Sequence, residues 1–110
     1  MPGCALLLVG AGAAGTVAYV RGDLEGSSPE SIAAVCVATA QALEEMGLVP
    51  EQNQCDAGTG EITTHSAQRK KIAVKLKRTE SDQTAISVRI GAFGDQQQSQ
   101  AIYDKIKEKL

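Results

Sequence analysis

The fold class is decided by residues 71–90, which have the sequence KIAVKLKRTESDQTAISVRI. Apolar and polar side chains alternate over Lys71–Arg78 and again over Thr84–Ile90, with turn-forming residues between the two segments. Because successive side chains of a strand point to opposite faces, this pattern predicts two antiparallel strands with one buried face. The opposite face is predicted to be solvent-exposed. It carries four cations, which are Lys71, Lys75, Lys77 and Arg89.

Two helices are predicted from apolar residues that recur every three or four positions. The first begins near Ser27–Glu30 and ends near Met46. Either Ser28 caps it with Pro29 at the first helical position, or Ser27 pairs with Glu30 as a capping box. Gly47 follows it as a left-handed cap. Asp95 is predicted to cap the second helix, which runs to the end of the chain.

Strands are also predicted at residues 17–25 and 61–66, with a weaker extended segment at 48–56. The expected order of elements is β-α-β-β-β-α. This order predicts an α+β fold with an antiparallel sheet and two helices packed on one face. The domain is expected to span residues 21–110, preceded by an apolar anchor or tether at residues 1–20.

The composition excludes some classes of binding protein. The chain has 110 residues, which is enough for one domain, and only 3% of them are aromatic. Proteins that bind single-stranded nucleic acid stack bases on aromatic side chains, so no nucleic-acid partner is expected. No positioned base or acid accompanies a serine or cysteine, so we expect neither catalytic residues nor a cofactor.

Charge is divided unevenly along the chain. Residues 1–60 carry a net charge of −6, whereas residues 61–110 carry +4. The four cations of the exposed sheet face could therefore contact anionic lipid headgroups, lipopolysaccharide or an acidic protein surface. The alternative is a solvated face whose lysines discourage pairing with other sheets.

A glycine pattern near the N-terminus allows an enzymatic interpretation. Gly10, Gly12 and Gly15 form G-x-G-x-x-G after an apolar run, as in dinucleotide-binding proteins. That motif needs a helix of several turns after the glycines, and Gly22 and Gly26 would interrupt it. A nucleotide-binding function is therefore the least favoured hypothesis.

Residues 5–20 carry no charge and allow three further interpretations. Their 16 residues are fewer than the roughly 20 needed to span a bilayer, although a short or interfacial helix is possible. They could instead pack against another protomer in a self-assembling subunit. In the third interpretation, Gly3-Cys4 ends a lipobox and Cys4 receives the lipid anchor. Because only Met1 and Pro2 precede Gly3, this interpretation expects a truncated signal peptide.

The other two cysteines and the single histidine suggest no further chemistry. Cys36 is expected as a small buried residue of the first helix, and Cys55 near a hairpin loop. They would form an even pair if Cys4 is acylated. However, Cys36 lies about 16 Å from the helix end and Cys55 about 26 Å along the returning strand, which argues against a disulfide. His65 has no neighbours at metal-ligand spacing, so no metal site is expected.

The chain resembles a family of small, functionally uncharacterised bacterial lipoproteins. The resemblance rests on the order of several segments: Gly3–Leu8, Gly10–Gly15, Tyr19–Glu25, Ala42–Leu48, Lys75–Arg78, Ile86–Gly91, Phe93–Asp95 and Ile102–Leu110. The stretch containing Asp56, Gly60 and Ile62 is also similar, more weakly, to domains of an outer-membrane assembly lipoprotein. The resemblance implies a lipid-anchored protein of the bacterial envelope, on the periplasmic side or at the cell surface. It implies no activity and no catalytic residue.

Overall fold

A computed structural model describes residues 17–110. Within this range six strands and two helices follow one another in the order β-β-α-β-β-β-β-α. The elements are β1 (Ala18–Val20), β2 (Asp23–Ser28), α1 (Ile32–Glu45), β3 (Gln52–Cys55), β4 (Thr59–His65), β5 (Lys71–Arg78), β6 (Thr84–Ile90) and α2 (Gln96–Glu108). The strands form one antiparallel sheet in the order β1-β2-β6-β5-β4-β3.

The α+β class predicted from the sequence is confirmed. Both helices lie on one face of the sheet, with α1 against β3, β4 and β5, and α2 against β2 and β6. The core between the two layers is aliphatic, and its fully buried side chains include Leu43 of α1, Val74 and Val88 of the sheet, and Ile102 and Ile106 of α2. The opposite face of the sheet carries no helix among the described residues, and we call it the open face.

The first strand predicted from the sequence is in fact a hairpin. Val20 pairs with Asp23, and the two residues between them, Arg21 and Gly22, have φ angles of 53° and 92°. Two successive positive φ angles define the tight turn that connects twisted antiparallel strands. Because arginine rarely occupies such a position, the turn was not predicted. The sheet therefore includes Ala18–Val20, which lies within the segment expected to be a tether.

The first helix begins later than predicted. Strand β2 continues to Ser28, and the N-cap of α1 is Ser31, whose side chain accepts a hydrogen bond from the backbone N–H of Ala34. Ser28 Oγ accepts from the backbone N–H of Glu30 instead. Both predicted N-caps, Ser27 and Ser28, are thus wrong, because Ser31 directly precedes the helix and accepts from one of its free N–H groups. Asp95 caps α2 as predicted, accepting from the N–H of Gln98.

The expectation that Cys36 and Cys55 remain unpaired is wrong. They form a disulfide between α1 and β3, and their Cα atoms lie 6.6 Å apart. The expected distance of about 26 Å assumes that the returning strand begins at residue 48. Because β3 begins only at Gln52, residues 47–51 make the reversal, and Cys55 is only about 10 Å along the strand. That distance brings Cys55 beside Cys36 in the N-terminal half of α1.

Candidate functional site

The candidate site is the centre of the open face, where β5 lies between β4 and β6. Lys71, Lys75 and Lys77 are exposed on this face, as their strand parity predicted. The floor between Lys71 and Lys75 includes two small residues, Ala73 of β5 and Ser87 of β6, whose partners across the strand pair are Arg89 and Lys75. A concavity of about 540 Å³ results. Long charged side chains surround it.

Arg89 differs from the three lysines because its guanidinium is already occupied. Its Nη1 donates to the backbone oxygen of Arg21 at 2.7 Å and lies 3.2 Å from Asp23 Oδ1. Its Nη2 donates to the backbone oxygen of Ala92. The guanidinium of Arg89 thus connects the turn at Arg21 to the loop after β6 through separate hydrogen bonds. Arg89 is placed on the open face as predicted, but these contacts indicate a positioning role for it.

Acidic residues moderate the charge of the open face. Glu61 of β4 lies directly opposite Lys75, and on the other side of Lys75 the same row continues through Ser87 to Glu25 of β2. Asp23 and Glu61 both line the concavity. The sequence predicted a strand at residues 61–66. It could not reveal that Glu61 faces Lys75, because that depends on the order and register of the strands.

One cation of the site was missed by sequence reasoning. Arg69 lines the concavity with Lys71 and Lys75, although it lies in the turn between β4 and β5. Its φ angle is 65°, and its backbone N–H donates to the oxygen of Ser66. The turn lies between the strands predicted at residues 61–66 and Lys71–Arg78. The direction of the arginine depends on the left-handed backbone, which sequence patterning does not indicate.

Several candidate residues lie outside the described part of the chain. Cys4, the proposed site of the lipid anchor, and Gly10, Gly12 and Gly15 all precede residue 17. Residues 5–16 of the proposed self-assembly segment also lie outside it. Shortly after the glycines, Ala18–Val20 forms a strand that pairs antiparallel with β2. A dinucleotide fingerprint requires a helix at this position.

His65 and the helices suggest no additional site among residues 17–110. His65 Nδ1 lies 2.8 Å from Glu51 Oε1, and both side chains are about half exposed. In the described residues, no three histidine, cysteine, aspartate or glutamate side chains are grouped as a metal ion would require. Neither α1 nor α2 is both long enough and apolar enough to cross a membrane.

Comparison with known proteins assigns the chain to a family without assigning an activity. The DUF3568 family, described as a protein of unknown function, matches residues 1–109. A search of curated proteins finds no match. The family match includes residues that precede the described domain.

Proposed function

We propose that this chain, which belongs to the DUF3568 family, is a non-enzymatic lipoprotein of the bacterial cell envelope. In this proposal Cys4 carries the lipid anchor, and the open face contacts an anionic partner in the envelope. The resemblance of Gly3-Cys4 to the end of a lipobox supports the anchor. The protein would act by binding and positioning, with no catalytic residue and no cofactor.

The disulfide between Cys36 and Cys55 is the observation that supports export of the protein from the cytosol. Disulfides persist in oxidising compartments such as the bacterial periplasm and are rare in the cytosol. With these two cysteines paired, Cys4 is the only cysteine of the chain left for acylation. The cysteine content therefore agrees with an exported protein that carries one lipid-modified residue.

The short segment between Cys4 and the domain supports contact of the open face with the membrane surface or with a partner close to it. Between Cys4 and Val17 the chain can span at most about 45 Å. The domain of an anchored protein would therefore stay near the headgroups. A tether of this length allows the exposed amines of Lys71, Lys75 and Lys77 to approach the headgroups within the Debye length of about 8–10 Å over which the negative surface potential acts.

The test is flotation of the unacylated full chain with lipid vesicles, in a Cys4→Ser background that prevents intermolecular disulfides. The three-residue variant K71Q/K75Q/K77Q removes the exposed amines of β5. The control K105Q/K107Q/K109Q removes the same charge from α2, on the helix side of the molecule. Circular dichroism and thermal melting first establish that both variants are folded.

Vesicles with anionic lipid should bind the unsubstituted chain at low salt and release it at high salt. Because each lysine near the surface contributes about 1 kcal/mol, K71Q/K75Q/K77Q should weaken binding by up to about 100-fold. The control variant K105Q/K107Q/K109Q should lose much less affinity for these vesicles. Binding that is absent or insensitive to salt, or equal losses in both variants, would remove the open face as an anionic contact.

A further inference from the structure

The loop after β6 exposes the only phenylalanine of the chain. Phe93 is 94% exposed, more than any other large hydrophobic residue that the structure describes. Single exposed apolar residues are common on protein surfaces and need no explanation by themselves. Phe93 is distinguished by how firmly its loop is held and by the charges around it.

The backbone contacts on both sides of Phe93 fix the loop. Arg89 Nη2 donates to the oxygen of Ala92, while Arg89 Nη1 holds the turn at Arg21. Gly94 has a φ angle of 83° and is so close to the neighbouring hairpin that a Cβ atom there would lie 2.6 Å from the oxygen of Gly22. The loop is therefore fastened before and after Phe93, and the side chain is presented outward.

Four cations lie in or next to the turns at the same end of the sheet as this loop, and we call this group the cationic rim. It consists of Arg21, Arg69, Lys70 and Lys71. Gly91 connects the loop to this rim, because its N–H donates to the oxygen of Lys71 and the side chain of Lys70 lies beside its Cα. All four rim side chains are exposed, and none takes part in an ion pair within residues 17–110.

The carboxylates at this end of the sheet contact groups other than the rim cations. Asp23 pairs with Arg89, and Asp95 accepts the capping hydrogen bond of α2. Glu51 lies against His65. The four rim cations therefore lie at the same end of the sheet as an exposed aromatic side chain, and Val20 of the adjoining hairpin is also 45% exposed.

We infer that Phe93 inserts into the interfacial region of an anionic bilayer while the cationic rim contacts the lipid headgroups. This inference rests on the proposed function, since it adds an insertion point to the same headgroup contact. Transfer of an apolar side chain out of water is favourable. Adjacent cations are attracted to an anionic surface and keep the side chain close to it. A fixed loop loses little conformational entropy when it inserts, so one side chain can orient the domain.

Phe93→Trp tests the insertion directly, because the chain contains no tryptophan and the substitution creates a single fluorescent reporter. On anionic vesicles its emission should move to shorter wavelength and be quenched by lipids brominated along the acyl chain. The matched control is Val37→Trp, which places a tryptophan at a 58% exposed position of α1, on the helix side. Its emission should stay unchanged.

Flotation of Phe93→Ala measures the contribution to affinity. The affinity for anionic vesicles should fall about tenfold, whereas the salt dependence of binding should stay as in the unsubstituted chain. Salt-dependent binding without a Phe93→Trp shift would overturn the insertion and leave the headgroup contact standing. Absence of binding in the unsubstituted chain would overturn both, and a shift at both tryptophans would overturn the proposed orientation.

Discussion

Cys36 in the N-terminal half of α1 is bonded to Cys55 at the end of β3, so the disulfide crosses from the helix layer to the sheet. Strand β3 is an edge strand of four exposed residues, with a neighbouring strand on one side only. Short edge strands are the least secured parts of a sheet. The disulfide therefore fastens the edge that has the fewest contacts of its own.

Removing this disulfide should lower stability substantially. The two cysteines are separated by 19 residues, and closing a loop of that size constrains the unfolded chain by about 3 kcal/mol. We expect C36A/C55A to lose about that much free energy of unfolding in urea denaturation. Reductant should destabilise the unsubstituted chain similarly and leave C36A/C55A unchanged. The pairing leaves only the thiol of Cys4 in the unreduced, unfolded chain, so three reactive thiols would contradict it.

Arg89→Lys should destabilise the domain although it preserves the charge. A lysine amine cannot reach the backbone oxygens of both Arg21 and Ala92, which Arg89 bonds with separate nitrogens. We expect a loss of about 1–2 kcal/mol in the free energy of unfolding. The control Lys75→Gln, on the same face, should change it by less than about 0.5 kcal/mol. Equal stabilities of the two variants would show that Arg89 does not fasten the loops.

Gly26→Ala should disturb the contact between β2 and α2. The aromatic ring of Tyr103 lies over Gly26, and an added Cβ atom would approach Tyr103 Cζ to 2.6 Å. Overpacking of this kind costs about 1–3 kcal/mol, which thermal and urea denaturation would detect. Gly58→Ala is the control, since a Cβ atom there has only one neighbour within 4 Å, an oxygen of Asp56 at 3.9 Å. Two variants of equal stability would contradict the close packing of Tyr103.

Acid should weaken the turn between β3 and β4. The backbone N–H groups of Thr59 and Gly58 donate to Asp56 and hold the pKa of its carboxyl below the ordinary value of 3.8. A lowered pKa in the folded state stabilises the protein above pH 3.8, and this contribution is lost as the pH falls through the folded value. A carboxyl titration by NMR should give a midpoint below 3.8 for Asp56.

Asp56→Asn provides the control for this pH dependence, because the amide oxygen still accepts both hydrogen bonds but does not titrate in this range. Its stability should fall less steeply between pH 4 and pH 2. Glu45 responds in the same direction, since Lys109 and then Lys105 lower its pKa from 4.5. Because Glu45 titrates in both proteins, Asp56→Asn should reduce the slope of the free energy of unfolding against pH without abolishing it. Identical slopes for Asp56→Asn and the unsubstituted chain would contradict the role assigned to Asp56.

Local patterns predicted the elements whose hydrophobic alternation is complete. Both β5 and β6 begin and end at the predicted residues, and Asp95 caps α2 as expected. In these segments the propensity of each residue agrees with its burial, so local reasoning is sufficient. The open position of Lys71, Lys75 and Lys77 followed from the same alternation.

Features that depend on tertiary geometry were not accessible from the sequence. Arg21 adopts a positive φ angle in a two-residue turn, which its residue type does not favour. The partner of Arg89 and the neighbour of Lys75 depend on which strands are adjacent, and alternation carries no such information. The disulfide was missed for a related reason, because linear distances along elements ignore where the chain reverses.

The central claim, a lipoprotein anchored through Cys4, is tested most directly by mass spectrometry of the natural protein isolated from its own cells. The proposal predicts that the protein is found in the membrane fraction and that its N-terminal peptide begins at Cys4 with a diacylglyceryl group on the sulfur. A peptide in which Cys4 is unmodified and still preceded by Gly3 would contradict it.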